Sequence, residues 1–293
     1  MTKIVNKHGA PQAFINFCEN DDYSRGDADF SVTQLIEEPR IVVFNERYPE
    51  LIVIDPYENP WLFIGQMLHG VLEDHSPDNE ISEERIHLTV DGVKLSGAMD
   101  VQFNEVKVQI RDYKLTSVYS LKETTKWEQQ LNLYAFLVEE KYPGKEVTDL
   151  MIHAFLRDWR IGQSEVIKGY PKTSAVNVSL PLWDAHKREA YVREKIAIHS
   201  ACVPLSDDDL PECSHEARWP SGTLWELITE DENGDELITT YKTKTQATAA
   251  MGKLDPIDEL TASIRKTFAL YRRCKSYCNF NSVCNQYQGE QKT

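Results

Sequence analysis

Two periods of apolar residues alternate along the chain. After Pro60, Trp61, Ile64, Leu68 and Leu72 recur at helical spacing and predict a helix with a buried stripe. Before it, Ser31-Val32-Thr33-Gln34-Leu35 predicts a helix that starts at Ser31 and is limited by Pro39 to about two turns. The period then falls to two. Residues 86–90 end in Asp91-Gly92, a strong hairpin signal. Residues 93–103 alternate, with Val93, Leu95, Met99, Val101 and Phe103 on one face, and after a turn at Asn104-Glu105 a third strand is expected over 106–115. Helical spacing returns over 121–140 in Trp127, Leu131, Tyr134 and Val138, closing near Tyr142-Pro143-Gly144. Residues 150–156 and 175–180 read as strands and 183–200 as a helix. Helix, three antiparallel strands, helix, strand, strand, helix implies an α/β core with a mixed sheet.

The pattern changes at both ends. Residues 1–30 have weak periodicity and an acidic run at 19–22, so they read as a lead-in segment. After residue 202 come the solvated run Asp207-Asp208-Asp209, a hairpin over 224–241 turning at Asn233-Gly234, a short helix over 245–254 and a last helix over 257–273. The expected organisation is lead-in 1–30, core 31–202 and C-terminal elaboration 203–293.

Composition narrows the function. With 41% apolar and 27% charged residues the chain is globular, and no apolar run reaches the ~18–20 residues that would cross a bilayer. The N-terminus lacks a signal-peptide stretch, so a reducing cytoplasm is expected. There, six cysteines favour metal ligands or buried thiols over disulfides. A formal charge of −15 argues against a non-specific DNA coat and allows an enzyme with a local basic channel.

The candidate chemistry lies in Gly97-Ala98-Met99-Asp100 and Arg111-Asp112-Tyr113-Lys114. Strand residues two apart share a face, so Asp112 and Lys114 project together. Asp100 is on the neighbouring strand, opposite in parity to Met99, Val101 and Phe103. Two carboxylates suit Mg²⁺ or Mn²⁺, and a metal with a lysine suits phosphodiester hydrolysis. A single Asp-x-Lys arises about once by chance in an acidic chain of this length, so alone it reads as a surface ion pair. His69 shares a polar helix face with Gln66 and Glu73 and could complete a metal shell. Gln130 and Tyr134 are helical neighbours, with Lys126 one turn earlier, a stripe able to touch DNA.

The ordered set His69, Asp100, Asp112-x-Lys114 and Gln130-x3-Tyr134 resembles the PD-(D/E)XK nuclease superfamily. Within it the set resembles the RecB-like branch that includes CRISPR-adaptation exonucleases and many phage-encoded relatives. Gly65-Gln-Met-Leu-His69-Gly-Val-Leu-Glu73 and Ser31-Val-Thr-Gln-Leu35 also look like the family's histidine helix and its leading helix. The resemblance implies a restriction-endonuclease-like core with a cysteine-clamped C-terminal elaboration. It implies that His69, Asp100, Asp112 and the Tyr113 backbone carbonyl hold Mg²⁺ or Mn²⁺. Asp100, Asp112, Lys114, Gln130 and Tyr134 would carry catalysis, and Lys126, Gln130 and Tyr134 would meet DNA.

Cys274-x3-Cys278-x5-Cys284 has ligand-like spacing. Many RecB-like nucleases with such a tail bind a 4Fe–4S cluster, their first cysteine preceding a Pro-Arg-like pair. Here that place is Glu38, before Pro39-Arg40, so a fourth ligand is sought elsewhere. Cys213 is the first choice, Cys18 the second and Cys202 the third. Four-cysteine Zn²⁺ is the rival, and buried thiols are the plain alternative.

The expectation is a metal-dependent DNA exonuclease acting on single strands or DNA ends in recombination, repair or DNA processing. The alternatives are a non-catalytic DNA-end-binding recombination scaffold and a structure-specific endonuclease. Lys122, Lys126, Arg157, Trp159 and Arg160 are candidates for the DNA surface. DNA is the expected partner, with a recombination or CRISPR-type protein as a second and no membrane. The location would be the host cytoplasm if the chain is phage-encoded.

Overall fold

The computed structural model describes residues 3–20, 25–78, 80–104, 106–230, 234–255 and 261–290, with backbone alone at 80–84, 100–104 and 290. The chain forms two compact units, Met1–Leu205 and Ser206–Thr293.

The first unit is built on a six-stranded mixed sheet. Strands β4 (Glu80–Val90), β5 (Val93–Asn104) and β6 (Lys107–Thr116) are antiparallel. The β4–β5 turn has positive φ at both Asp91 (51°) and Gly92 (83°), which a two-residue hairpin of this twist requires. Glu105, of the turn expected between β5 and β6, lies outside the described residues. Beyond β6, β7 (Glu146–Leu156) runs parallel and β8 (Ala175–Leu180) antiparallel to it. Strand β2 (Phe30–Ser31) adds two parallel rungs to β5.

Helix α5 (Thr125–Lys141) supplies the crossover between β6 and β7 that a parallel pair needs. Every residue from Gln130 to Val138 is buried. Its polar members are satisfied. Asn132 donates to the carbonyls of Glu128 (2.8 Å) and Pro181 (3.0 Å) and accepts from the Trp183 N–H (2.8 Å). Helix α7 (Ala185–Cys202) packs beside α5, and its buried Arg188 pairs with Glu139 of α5.

Several elements depart from the sequence expectation. The N-terminal region is structured: β1 (Lys3–Ile4) pairs with β3 (Val53–Ile54), and α1 (Gln12–Glu19) buries Ile15 and Cys18. Helix α2 (Val32–Leu35) starts at Ser31 with a full capping box closed by Gln34. Pro39 does not merely end that segment. Glu38 is extended, as a residue before proline tends to be, and Pro39 opens a new helix, α3 (Pro39–Arg47), from its first turn. Helix α4 (Pro60–Glu73) forms after Pro60 as expected, but its stripe is not core. Trp61 and Ile64 are exposed, Leu68 and Leu72 are half-buried, and Phe63 is the buried residue, its ring edge-on to Phe14 of α1. A short helix, α6 (Ile161–Val166), has no counterpart in the apolar pattern.

In the second unit, β9 (Pro220–Glu230) and β10 (Glu236–Tyr241) form the expected hairpin. Asn233, of the expected turn, lies outside the described residues, and Gly234 has φ 83°. Helix α8 (Lys244–Met251) follows. The helix expected over 257–273 is instead strand β11 (Ser263–Tyr271), paired antiparallel along β9. Residues 256–260 lie outside the described set. The other edge of β9 is open to pairing, Ile264 is half-buried between exposed neighbours, and Phe268 and Leu270 flank the exposed Ala269, so edge pairing overrides helical spacing. Helices α9 (Arg272–Ser276) and α10 (Asn285–Glu290) flank the cysteine turn. Among the described residues no helix is long and apolar enough to cross a membrane.

Candidate active site

Strand β6 carries the centre of the site. Asp112 is buried and Lys114 is mostly covered, as alternation from the core residues Val108 and Ile110 requires. Lys114 Nζ stands 2.8 Å from Asp112 Oδ2. The approach is not aligned as a hydrogen bond, so Oδ2 is buried with its hydrogen-bonding capacity unfilled. The Lys114 ammonium is the cation that offsets the cost of burying this carboxylate oxygen.

Between these two residues, the Tyr113 backbone carbonyl lies 2.7 Å from His69 Nε2. Helix α4 packs on β6 and brings the imidazole there, edge-on to the Tyr113 ring at 6.2 Å. On the outer side Tyr113 stacks with His153 of β7 at 5.3 Å, and His153 Nδ1 meets Asn177 Oδ1 at 2.7 Å. The expected imidazole, carboxylate, carbonyl and ammonium thus occur within three consecutive residues of β6 and one turn of α4.

Asp100 is the last rung of the β5–β6 ladder, its backbone paired with Arg111, one residue from Asp112. Its side chain lies outside the described set. Gln130 Nε2 donates to the Tyr134 hydroxyl (2.9 Å), and both residues are buried on α5. Tyr134 sits there because of Gly97. A methyl group at Gly97 would come within 2.8 Å of Leu137 Cδ1 and 3.0 Å of the Tyr134 ring. Gly97, at the head of the segment that ends in Asp100, thus lets α5 approach β5 closely, as an isolated glycine inside a strand can signal. Lys126 forms an ion pair with Glu37 at 3.3 Å and remains largely exposed. Trp159 does not present its ring as a stacking surface: its indole N–H donates to the Pro171 carbonyl (2.9 Å) and its ring packs on the core.

Cys213, Cys274, Cys278 and Cys284 all belong to the second unit and are thiols rather than disulfides. Burial pushes the Cys278 thiol up, and the neighbouring Cys274 and Cys284 add to the rise. The Cys213 N–H donates to Gln286 Oε1 (3.0 Å) and its carbonyl accepts from Gln286 Nε2 (3.1 Å), two residues beyond Cys284. Among the described residues, however, no three His, Cys, Asp or Glu side chains are gathered as a metal-ligand group. The four-thiol cage expected for an iron–sulfur cluster or zinc is therefore not assembled. In the first unit the donors near Lys114 are one carboxylate, one imidazole and a backbone carbonyl. Cys18 and Cys202 belong to the first unit, where burial raises both thiols.

A comparison with curated proteins gives no match. Among solved structures, the protein SSO0001 is similar, with a TM-score of 0.45 and 16% identity over 64% of this chain and 85% of that one. A family model described as the PD-(D/E)XK nuclease superfamily matches residues 58–285, well over half of the sequence and the whole stretch from α4 through β6 to the cysteine turn. The mixed sheet, the Asp112-x-Lys114 strand and this match agree: the chain belongs to the PD-(D/E)XK nuclease superfamily.

Proposed function

We propose that this chain is a divalent-metal-dependent deoxyribonuclease, an exonuclease acting on single strands or DNA ends in recombination, repair or DNA processing. The observation that carries the reading is the buried Asp112 carboxylate, ion-paired with Lys114 two residues on, with the Tyr113 carbonyl between them meeting His69 Nε2. An oxygen-rich set with one imidazole fits Mn²⁺ or Mg²⁺. Asp112, His69 and the Tyr113 carbonyl would hold the ion, with Asp100 completing the shell. When bound, the ion polarises the phosphoryl oxygen and lowers the pKa of the attacking water.

The chain's own groups do the rest. Lys114, held at the Asp112 carboxylate, offers a fixed cation where negative charge grows on the phosphoryl oxygens as the new P–O bond forms. The buried Gln130–Tyr134 pair lies on α5, with the Tyr134 ring against Gly97 of β5, the strand that carries Asp100. Lys126 at the exposed start of α5 offers a phosphate contact.

Placement in the RecB-like branch, with its CRISPR-adaptation and phage relatives, rests on the capped Ser31 helix, the His69 helix and Gln130-x3-Tyr134 together. A metal at the cysteine turn, 4Fe–4S or Zn²⁺, would have to draw together thiols that are not gathered as a ligand group here, with Cys213 as fourth ligand because its backbone is tied to Gln286. Metal analysis and visible absorption of anaerobically prepared protein decide it. Iron with sulfide or zinc, lost in Cys213→Ala, supports the clamp, and metal-free protein ends it.

The test of the main reading is cleavage of end-labelled linear and circular single strands with Mg²⁺ or Mn²⁺. Linear DNA should be degraded from its ends and the circle spared. Asp112→Ala and Lys114→Ala should each lose about a hundredfold or more in rate. Cleavage of the circle would make the enzyme an endonuclease. Binding without cleavage by the intact chain would make it an end-binding scaffold.

A further inference from the structure

Beyond Lys114, the end of β6 carries side chains that the catalytic reading leaves unused. There the Arg157 N–H donates to the Thr116 carbonyl (2.9 Å), and the Val118 N–H donates to Asp158 Oδ1 (2.7 Å). The ends of β6 and β7 are thus laced together, and two aromatic rings stand exposed at this edge.

Trp61, in the first turn of α4, is 45% exposed, and the Arg157 guanidinium lies 5.3 Å from its ring centroid. Tyr119, one residue after Val118, is 74% exposed, and Lys122 Nζ lies 6.0 Å from its ring. A single exposed ring is ordinary on a protein surface; what sets these two apart is the cation beside each at one edge. Each cation lies at cation–π range, in a chain of net charge −15. The local carboxylates are engaged, Asp158 by the Val118 N–H and Glu123 by the Thr125 N–H.

A flat apolar face with a cation beside it fits an unpaired base and its phosphate. Duplex DNA stacks its base faces internally and cannot offer them. The position suits delivery to the site, since Thr116 is two residues beyond Lys114 on β6. Trp61 lies eight residues before His69 on α4, about 12 Å along the helix axis.

We propose that Trp61 with Arg157 and Tyr119 with Lys122 form a stacking platform for the unpaired bases of single-stranded DNA. The platform rests on the nuclease reading only for cleavage of the bound strand, and not for binding itself.

The test measures binding of a labelled single-stranded oligonucleotide, its duplex and an abasic single strand of equal length, with divalent ions chelated. The intact chain should favour the single strand over both others. Trp61→Ala with Tyr119→Ala should weaken single-strand binding about tenfold or more, and Trp61→Phe with Tyr119→Phe should restore most of it. Equal binding of the abasic strand, single-strand binding by the double alanine variant within twofold of the intact chain, or no single-strand binding at all would each overturn the platform. The second of these outcomes would instead suit a protein-docking edge. Binding as predicted without cleavage when Mn²⁺ is restored would overturn the nuclease reading and leave the platform standing.

Discussion

Helices α4 and α5 both carry candidate site residues, and they could hardly be embedded more differently. Along α5 nine consecutive residues are buried, polar ones included. Along α4 one residue is buried, although its sequence is the more apolar of the two. The difference separates two jobs. α5 is a column through the core that fixes Gln130 and Tyr134 and is held by Asn132 and Glu139. α4 lies on the outside, touching β6 through His69 and showing Trp61, Leu62, Met67 and Val71 to solvent.

The contrast can be broken by mutation. Leu131→Ala, deep in α5, should cost about 2–5 kcal/mol and lower Tm sharply in thermal unfolding. Survival of that change with little loss would mean that α5 is not the core column. Gly97→Ala should cost about 1–3 kcal/mol, because the new methyl meets Leu137 and the Tyr134 ring on a packed face. It should also disturb Tyr134, visible as a changed tyrosine environment in near-ultraviolet circular dichroism. On α4 the same type of change should go the other way. A methyl at Gly65 meets no atom within 4 Å, so Gly65→Ala should stabilise by roughly 0.5–1 kcal/mol through helix propensity alone. A loss at Gly65 would show that α4 is covered after all.

The smallest effect is in pH. His199, buried on α7 against the Leu35 carbonyl, has its pKa lowered first by burial and then by Lys195. The unfolded chain therefore binds this proton more readily than the folded one. The stability it contributes is present above the unfolded value near 6.5 and is lost as pH falls below it. Tm should fall between pH 7.5 and pH 5.5, a range set about one unit either side of that value, and His199→Gln should flatten the fall.

The same contrast explains how far the sequence can be read. Period-two runs and the Asp91-Gly92 turn locate the β4–β5–β6 unit, because a sheet with a buried face imposes alternation. Asp112 and Lys114 are legible for the same reason, two residues apart on one strand. Tyr134 is legible as core, but the dependence of its position on Gly97 is not, because the contact joins β5 to α5. The stripe of α4 misleads, since periodicity reports an apolar face and says nothing of what covers it. Strand β11 misleads because a partner edge, absent from local sequence, decides its conformation. Pro39 reads as a stop, yet its fixed φ serves equally well as a start.

The claim on which the account turns is that Asp112, His69 and the Tyr113 carbonyl form one divalent-ion site beside Lys114. Titration of Mn²⁺ by electron paramagnetic resonance tests it without reference to DNA. The intact chain should bind the ion, Asp112→Asn and His69→Ala should each weaken binding about tenfold or more, and Lys114→Ala should retain it. Equal Mn²⁺ binding by the intact chain and Asp112→Asn would contradict the account.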